Sequence, residues 1–386
     1  MTAMPDPFVH LRTVSGFSLR HGVATPAQLV ETAVHLGQRA LGLTDRDGVY
    51  GAVRFAQACQ DAGIAPILGV DLAVEESAGQ IPQQVPPQRR NPVRGGPAVR
   101  EDSSRLVVLA RGGRGWAALC RLVSAAHLRG ERGRPRVTRE VVAQYAADGH
   151  LAILLGADSS VGQACHRRRP DLAAAELRWW HHEVGATVYV EICSHLEATG
   201  AIRSSAAAAR LLQMARDTGT TAVLTNAVRY PAPEQAPVAD VLDAVRRLVP
   251  ISRRHLDRSN AQGYLKGWPE LRGVADEIVA MAGGAAVERA RLLADTIALA
   301  ESCALDPIAD VGLGDIHVPE LAVVAAGSRA ERAGDVRSVL AGYESRRRPQ
   351  ARIDQEARHA HDLLSARCNR ELDRRRVTSA AAAQRL

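Results

Sequence analysis

From Phe8 to Thr225, short apolar runs alternate with longer stretches of helical period. Phe8–Arg12, Ala40–Leu43, Ile64–Val70, Arg105–Ala110, Leu151–Leu155, Thr187–Ile192 and Ala222–Thr225 are each four to seven residues long and read as strands. The stretches between them read as helices. Thr25 is placed to cap the first, with Pro26 at its opening position and Leu29, Ala33 and Leu36 as its apolar stripe. A second carries Val53, Ala56 and Cys59 toward one face and stops at Gly63. Further helices are expected over Trp116–Ala126, Thr138–Ala146, Asp171–His182 and Ser204–Arg216, and Gly112-Gly113-Arg114-Gly115 reads as a strand-to-helix turn. Such alternation implies a parallel sheet with helices outside it. Seven units fit an open twisted sheet or a closed barrel, and the pattern alone does not choose.

Beyond Glu234 the period is helical throughout. Val238, Leu242, Val245 and Leu248 fall on one face, and further helices are expected over Val274–Met281 and Val287–Cys303. Residues 75–104 are rich in Pro, Gln and Arg, lack a period, and read as an exposed loop. Val339–Arg376 is Arg-rich and helix-permissive.

Candidate chemistry enters at the strand ends. Leu41–Asp71 is a β-α-β unit whose two strands end on Asp45 and Asp71, and the sixth strand ends near Glu191. In barrels of parallel strands the C-terminal end carries the reacting groups. A carboxylate there can bind metal or take a proton; the plainer alternative makes Asp45 a turn cap and Asp71 a solvated loop residue.

Composition narrows the partners. Of the 386 residues 46% are hydrophobic but only 3% aromatic, so the core must be built of Ala, Val and Leu. Lys266 is the one lysine, which makes arginine nearly the whole positive charge. From Ser328 onward 14 Arg face 8 Asp and Glu, a surplus of 6 within a net charge of +7, so the preceding body is near neutral. The body is therefore no basic nucleic-acid platform; the tail offers DNA phosphates a weak contact through Arg346, Arg347, Arg348, Arg374, Arg375 and Arg376. No apolar run approaches the roughly 18 residues that span a bilayer, and no signal peptide precedes Phe8. Six scattered cysteines without a CxxC pair read as the reduced thiols of a cytoplasmic protein.

Five runs carry a family resemblance: FVHLRTVSGFSLRHG from Phe8, ALGLTDRDGVYGAVRF from Ala40, GIAPILGVD from Gly63, AVLTNAVRYP from Ala222 and RRHLDRSNAQGYLK from Arg253. In order and spacing they resemble the N-terminal PHP (polymerase and histidinol phosphatase) domain of bacterial C-family DNA polymerases, the polymerase III alpha subunits, and most of all their error-prone branch. The resemblance implies a distorted seven-stranded β/α barrel over residues 8–232, after a tail at 1–7. It implies a helical extension over 233–320 and, in 321–386, the start of a polymerase palm. Near Gly312–Val323 the chain resembles the family's exit toward that palm.

The resemblance also implies a metal site, since PHP barrels bind up to three divalent metals through about nine histidines and acids, ligands that suit zinc and manganese. Here most of those positions are changed. Aligned on Ser15 and Ser18, the family's His-x-His falls on Arg12 and Val14, neither of which has a lone pair to give. His10, two residues early, matches a separate family position. Asp45 is kept, but Arg46 follows where the family often has His; Asp71 stands for a Glu, Arg105 for a His, and Ala227 and Arg229 for the ligands of an Asn-Asp-x-His motif that keeps Asn226. Glu191 matches an acidic position. The expectation is a salt-bridged relic in which guanidiniums take the place of cations beside Asp45, Asp71 and Glu191.

The other histidines read as bland: His181 and His182 are adjacent on a helix, and His359 and His361 lie two apart, so neither pair faces one metal. The function expected is thus that of a silent scaffold. It would be the N-terminal part of an error-prone polymerase used in translesion synthesis and repair, with no catalytic metal, and ending before the palm that would carry polymerisation. Its partners would be polymerase palm and fingers domains or other replication and repair proteins. The alternative is a metal-dependent phosphoesterase or 3′-5′ exonuclease with Zn2+ or Mn2+ in an altered site.

Overall fold

The computed structural model describes residues 6–75, 104–131, 133–252 and 258–314. They belong to one compact unit that runs to Gly314. Most of the loop expected over 75–104, most of Gly312–Val323, the palm-like segment 321–386 and the six tail arginines lie outside the described residues.

The elements follow in the order α1 (Pro26–His35), β1 (Ala40–Arg46), α2 (Ala52–Ala62), β2 (Ala65–Glu75), β3 (Ser104–Ala110), α3 (Gly112–Arg129), β4 (Val137–Thr138), α4 (Arg139–Ala146), β5 (Leu151–Leu155), α5 (Ser160–His166), α6 (Pro170–Val184), β6 (Val188–Ile192), α7 (Ser205–Thr218), β7 (Ala222–Leu224), α8 (Ala236–Arg247), α9 (Trp268–Met281) and α10 (Ala286–Cys303). Local chemistry sets the ends as expected. Thr25 and Gln28 form a reciprocal capping box ahead of Pro26, and Gly63 takes the left-handed cap of α2 at φ 70°. Two expectations shift. Gly112 to Gly115 belong to the first turn of α3, and Val53 is exposed while Ala52, Phe55, Ala56 and Cys59 make the buried face of α2.

The strands form one seven-stranded sheet in the order β1-β2-β3-β5-β6-β7, with β4 beside β2. It is mixed rather than parallel. β1 and β2, and β5, β6 and β7, run parallel, but β3 is antiparallel to both β2 and β5. The direction of β3 follows from the path of the chain and not from any local period, since the same apolar run serves a parallel or an antiparallel neighbour.

The count of seven also conceals an exchange. Phe8–Arg12 is no regular strand, and the two-residue β4 takes its place in the tally. The first segment instead bridges the sheet's open edges. His10 pairs with Leu41 of β1, and Thr13 with Val228 beyond β7. Its backbone bonds are Gly42 N–H to the His10 carbonyl at 2.7 Å, Thr44 N–H to Thr13 at 2.8 Å and Val14 N–H to Val228 at 3.0 Å. The half-barrel is drawn round on this seam, and Arg12 is thereby placed inside it. The seam needs Gly42, because a Cβ there would stand 2.5 Å from the Leu11 carbonyl oxygen. Gly42→Ala is expected to lose about 1–3 kcal/mol in urea unfolding, the usual cost of overpacking, and an unchanged midpoint would mean the seam is looser than described.

Period-two alternation divides the apolar residues into two layers. Ile67, Val107, Leu109, Ala152, Leu154 and Val223 point to the barrel interior with Leu11. Leu41, Leu43, Leu68, Val70, Leu106, Val108, Ile153 and Val190 pack outward under the helices.

One helix is turned opposite to its apolar stripe. On α8, Val238, Val241 and Val245 are exposed, as is Leu248 just past it, whereas Asp240 and Asp243 are buried. The two carboxylates decide the orientation. Asp240 takes Arg258, and Asp243 takes Arg229 and Arg246. Burying either acid without these partners would cost far more than leaving three valines wet.

Candidate metal centre and its arginine

Asp71 and Glu191 both point into the barrel, on strands β2 and β6. Between them lies the guanidinium of Arg12. Its Nη1 donates to Glu191 Oε2 at 2.8 Å, and its Nη2 donates to Asp71 Oδ2 at 2.9 Å and to Asp158 Oδ2 at 3.0 Å. Arg12 is 7% exposed and Glu191 1%, so these bonds are made largely out of water. Arg105 closes the other side of Asp71. Its Nε donates to Asp71 Oδ1 at 2.7 Å and its Nη2 to Asp47 Oδ1 at 2.9 Å. Arg203 Nη2 donates to Asp158 Oδ2 at 2.7 Å, and the Thr225 hydroxyl donates to Glu191 Oε1 at 2.7 Å.

Burial alone would raise the pKa of Asp71, but Arg105, Arg12 and Arg46 hold its carboxyl well below the usual range. Burial likewise opposes, and Arg203 and Arg12 outweigh it, at Asp158, which is pulled down to about 2. Arg12 itself loses from burial and gains more from Glu191, Asp71 and Asp158, so it stays charged.

Asp45 stands apart from this group. In the β1–β2 register Arg46 is opposite Asp71 and Asp45 is opposite Val70, which packs outward. One residue of offset therefore puts Asp45 on the helix side of the sheet. There its carboxylate accepts from the Ser15 amide at 2.7 Å, the Ser18 hydroxyl at 2.7 Å and the Ser15 hydroxyl at 2.9 Å. Burial raises its pKa and the serine bonds pull back. The serines that served only to align the motif are thus its partners.

The remaining positions scatter. Val14 and Ala227 are buried, Ala227 with a left-handed φ of 43°. Arg229 leaves the barrel acids alone and clamps Asp243 with both Nη atoms, at 2.9 and 3.0 Å. Asn226 is structural: its amide donates to the Gln262 and Tyr264 carbonyls, and Lys266 Nζ lies 3.5 Å from its Oδ1. His10 Nε2 sits 2.9 Å from the Lys266 carbonyl, and burial lowers its pKa to about 4.

A family profile described as the PHP domain matches residues 10–195. Residues 10–195 are a PHP domain. The N-terminal region is homologous to error-prone DNA polymerase and to the polymerase III alpha subunit. The error-prone DNA polymerase of Mycolicibacterium paratuberculosis is 34% identical over 275 residues, 70% of this chain and 23% of that protein. The DNA polymerase III subunit alpha of Treponema pallidum is 30% identical over 236 residues, 61% of this chain and 19% of that protein. The chain thus spans about a quarter or less of the length of the curated relatives it matches. Among solved structures, an amidohydrolase from Chromobacterium violaceum is 14% identical with a TM-score of 0.37, covering 58% of this chain and 88% of that one.

The metals expected of a PHP domain do not fit this donor set. Arg12 sits among Asp71, Glu191 and Asp158, Val14 and Ala227 offer no lone pair, and Arg105 already takes both a carboxylate oxygen and the carbonyl of Asp71. Among the described residues, no three His, Cys, Asp or Glu side chains stand as an ion would need them. Asp71 gives both carboxylate oxygens to guanidiniums, and Glu191 and Asp158 give one each.

Sequence reasoning missed Asp158, Arg203, Asp47 and Asp243. Asp158 had a usable signal, since it lies three residues past β5, at the strand end; Asp71, expected at such an end, instead sits inside β2, which runs on to Glu75. Gly156 gave another, because a Cβ there would stand 1.9 Å from Glu191 Oε2. Arg203 lies in an irregular segment between β6 and α7, where no periodicity points inward. Among the described residues no helix is long and apolar enough to cross a membrane.

Proposed function

We propose that this PHP domain is a metal-independent structural barrel, the N-terminal portion of a protein related to the error-prone DNA polymerases. The observation that carries the reading is Arg12, whose one guanidinium reaches three carboxylates at 2.8–3.0 Å. A planar, permanently charged fork satisfies acids that would otherwise repel one another. It supplies no exchangeable coordination position and generates no hydroxide, which is what hydrolysis at such a centre requires. In a whole protein of this kind the barrel would steady palm and fingers domains during translesion synthesis and repair in the cytoplasm.

Metal analysis of the purified chain tests the proposal. The expected result is less than about a tenth of an equivalent of zinc or manganese, with no phosphodiester hydrolysis when either ion is added, since a catalytic site needs three protein ligands and an open position. Stoichiometric metal, with activity that Asp71→Ala abolishes, would overturn it in favour of a phosphoesterase or exonuclease.

A further inference from the structure

Helix α8 presents a surface that its own domain does not use. It is seated through small residues and charge: Ala236, Ala239 and Ala244 are buried, and Asp240 and Asp243 reach in to Arg258, Arg229 and Arg246. Its larger aliphatic side chains are left outside. From Pro237 to Ile251 every exposed residue is apolar. Val238, Val241 and Val245 form the line on the helix, and Leu248 continues it just past the end. A helix side that meets only water carries charged and polar residues, so an unbroken apolar line of this kind marks a contact.

The spacing says what kind of contact. Val238, Val241, Val245 and Leu248 step by three, four and three, the narrow seam along which two helices pack side by side, rather than the broad face that settles on a sheet. The flanks say which helix. A foreign helix is selected by charges beside the seam, and here the neighbours are Pro237, Leu242 and Ala244, with Arg246 held to Asp243. An uncharged seam meets no like charge when it meets itself. The ends do differ in charge: Glu234 precedes the helix, and Arg246 and Arg247 lie in its last turn. Antiparallel copies bring these unlike ends together, whereas parallel copies would bring like ends together.

We propose that the outer stripe of α8 pairs with the same stripe of a second copy of this chain. A two-fold axis beside Val241 relates the copies, setting Val238 of one against Val245 of the other and Val241 near its own twin. Such a contact is closed, so association stops at the dimer. The stripe is short. Its area lies at the low end of specific interfaces, below about 1,200 Å² in total, so the pairing is weak and depends on concentration.

Analytical sedimentation of the full 386-residue chain over a concentration series tests the pairing. A monomer–dimer equilibrium with a Kd of about 10–100 µM is expected. Val241→Glu sets two carboxylates beside the axis and should weaken it at least about tenfold, while unfolding measured well below that Kd stays unchanged. Val287→Glu, on α10 at a position 76% exposed, should leave association as it is. Val241→Cys gives a second reading that needs no charge in the seam. Mild oxidation should link its chains in pairs, and should not link those of Val287→Cys. A chain that stays monomeric throughout the series, a dimer that Val241→Glu leaves intact, or association that runs past the dimer would each overturn the proposal. So would a monomer that Val241→Glu makes easier to unfold, since the stripe would then be covered from within its own chain.

Discussion

Arg12→Met is expected to unfold with about 3–5 kcal/mol less stability than wild type near neutral pH, read from urea midpoints. Methionine fills much of the space but removes the charge that three buried acids share. The damage is uneven. Asp71 keeps Arg105, and Asp158 keeps Arg203, whereas Glu191 keeps only the Thr225 hydroxyl. Adding Glu191→Gln should therefore recover part of the loss, and a double-mutant cycle gives the coupling.

The pH dependence on the acid side should weaken. In wild type, Asp71 and Asp158 have depressed pKa values, so the native state binds fewer protons than the unfolded chain. Their contribution is complete above the unfolded value near 3.8 and falls away as acid carries the pH toward about 2, where Asp158 titrates in the folded state. In Arg12→Met, Asp71 and Asp158 lose one of the guanidiniums that hold their pKa values down. The variant's deficit should then shrink as the pH falls below about 3.8, where wild type loses the contribution of the same acids. A deficit under about 1 kcal/mol at neutral pH, or one that grows steadily on acidification from neutrality, would show that Arg12 does not bear this load.

The second large effect is expected at Asp243→Asn. Asp243 is fully buried and neutralises Arg229 and Arg246 together. An amide leaves two guanidiniums without their anion, a loss of about 3 kcal/mol or more. Its counterpart lies on the opposite face of the same helix. Val245→Gln, at a position 48% exposed, should change stability by no more than about 0.5 kcal/mol. The pair reverses the rule that apolar positions of a helix matter most. If Val245→Gln proved the more damaging in thermal unfolding, α8 would be seated on its apolar stripe after all.

The helix and strand boundaries were largely legible because caps and breakers act locally: Thr25 and Pro26 open α1, and Gly63 closes α2. Strand direction was not legible, because β3 runs against both its neighbours, a property of the path rather than of any window of residues. The candidate site divides the same way. That Arg12 replaces an expected ligand is visible in the motif, but its three partners come from β2, β6 and the turn after β5. Asp45 looked like a third member because both acids were expected at strand ends, and only the pairing of Arg46 with Asp71 shows that the two carboxylates face opposite sides of the sheet.

What the amino-acid sequence determined by itself was most of the inventory: six of the strand segments, the acids they carry, and that guanidiniums stand where imidazoles were expected. Those are short-range matters of period, cap and side-chain chemistry. Tertiary structure alone decided which charge meets which. Closing the sheet on the seam at His10–Val14 brings Arg12 to acids 59, 146 and 179 positions away along the chain. It likewise turns α8 so that its acids face inward, because an unpaired buried charge costs more than an exposed valine.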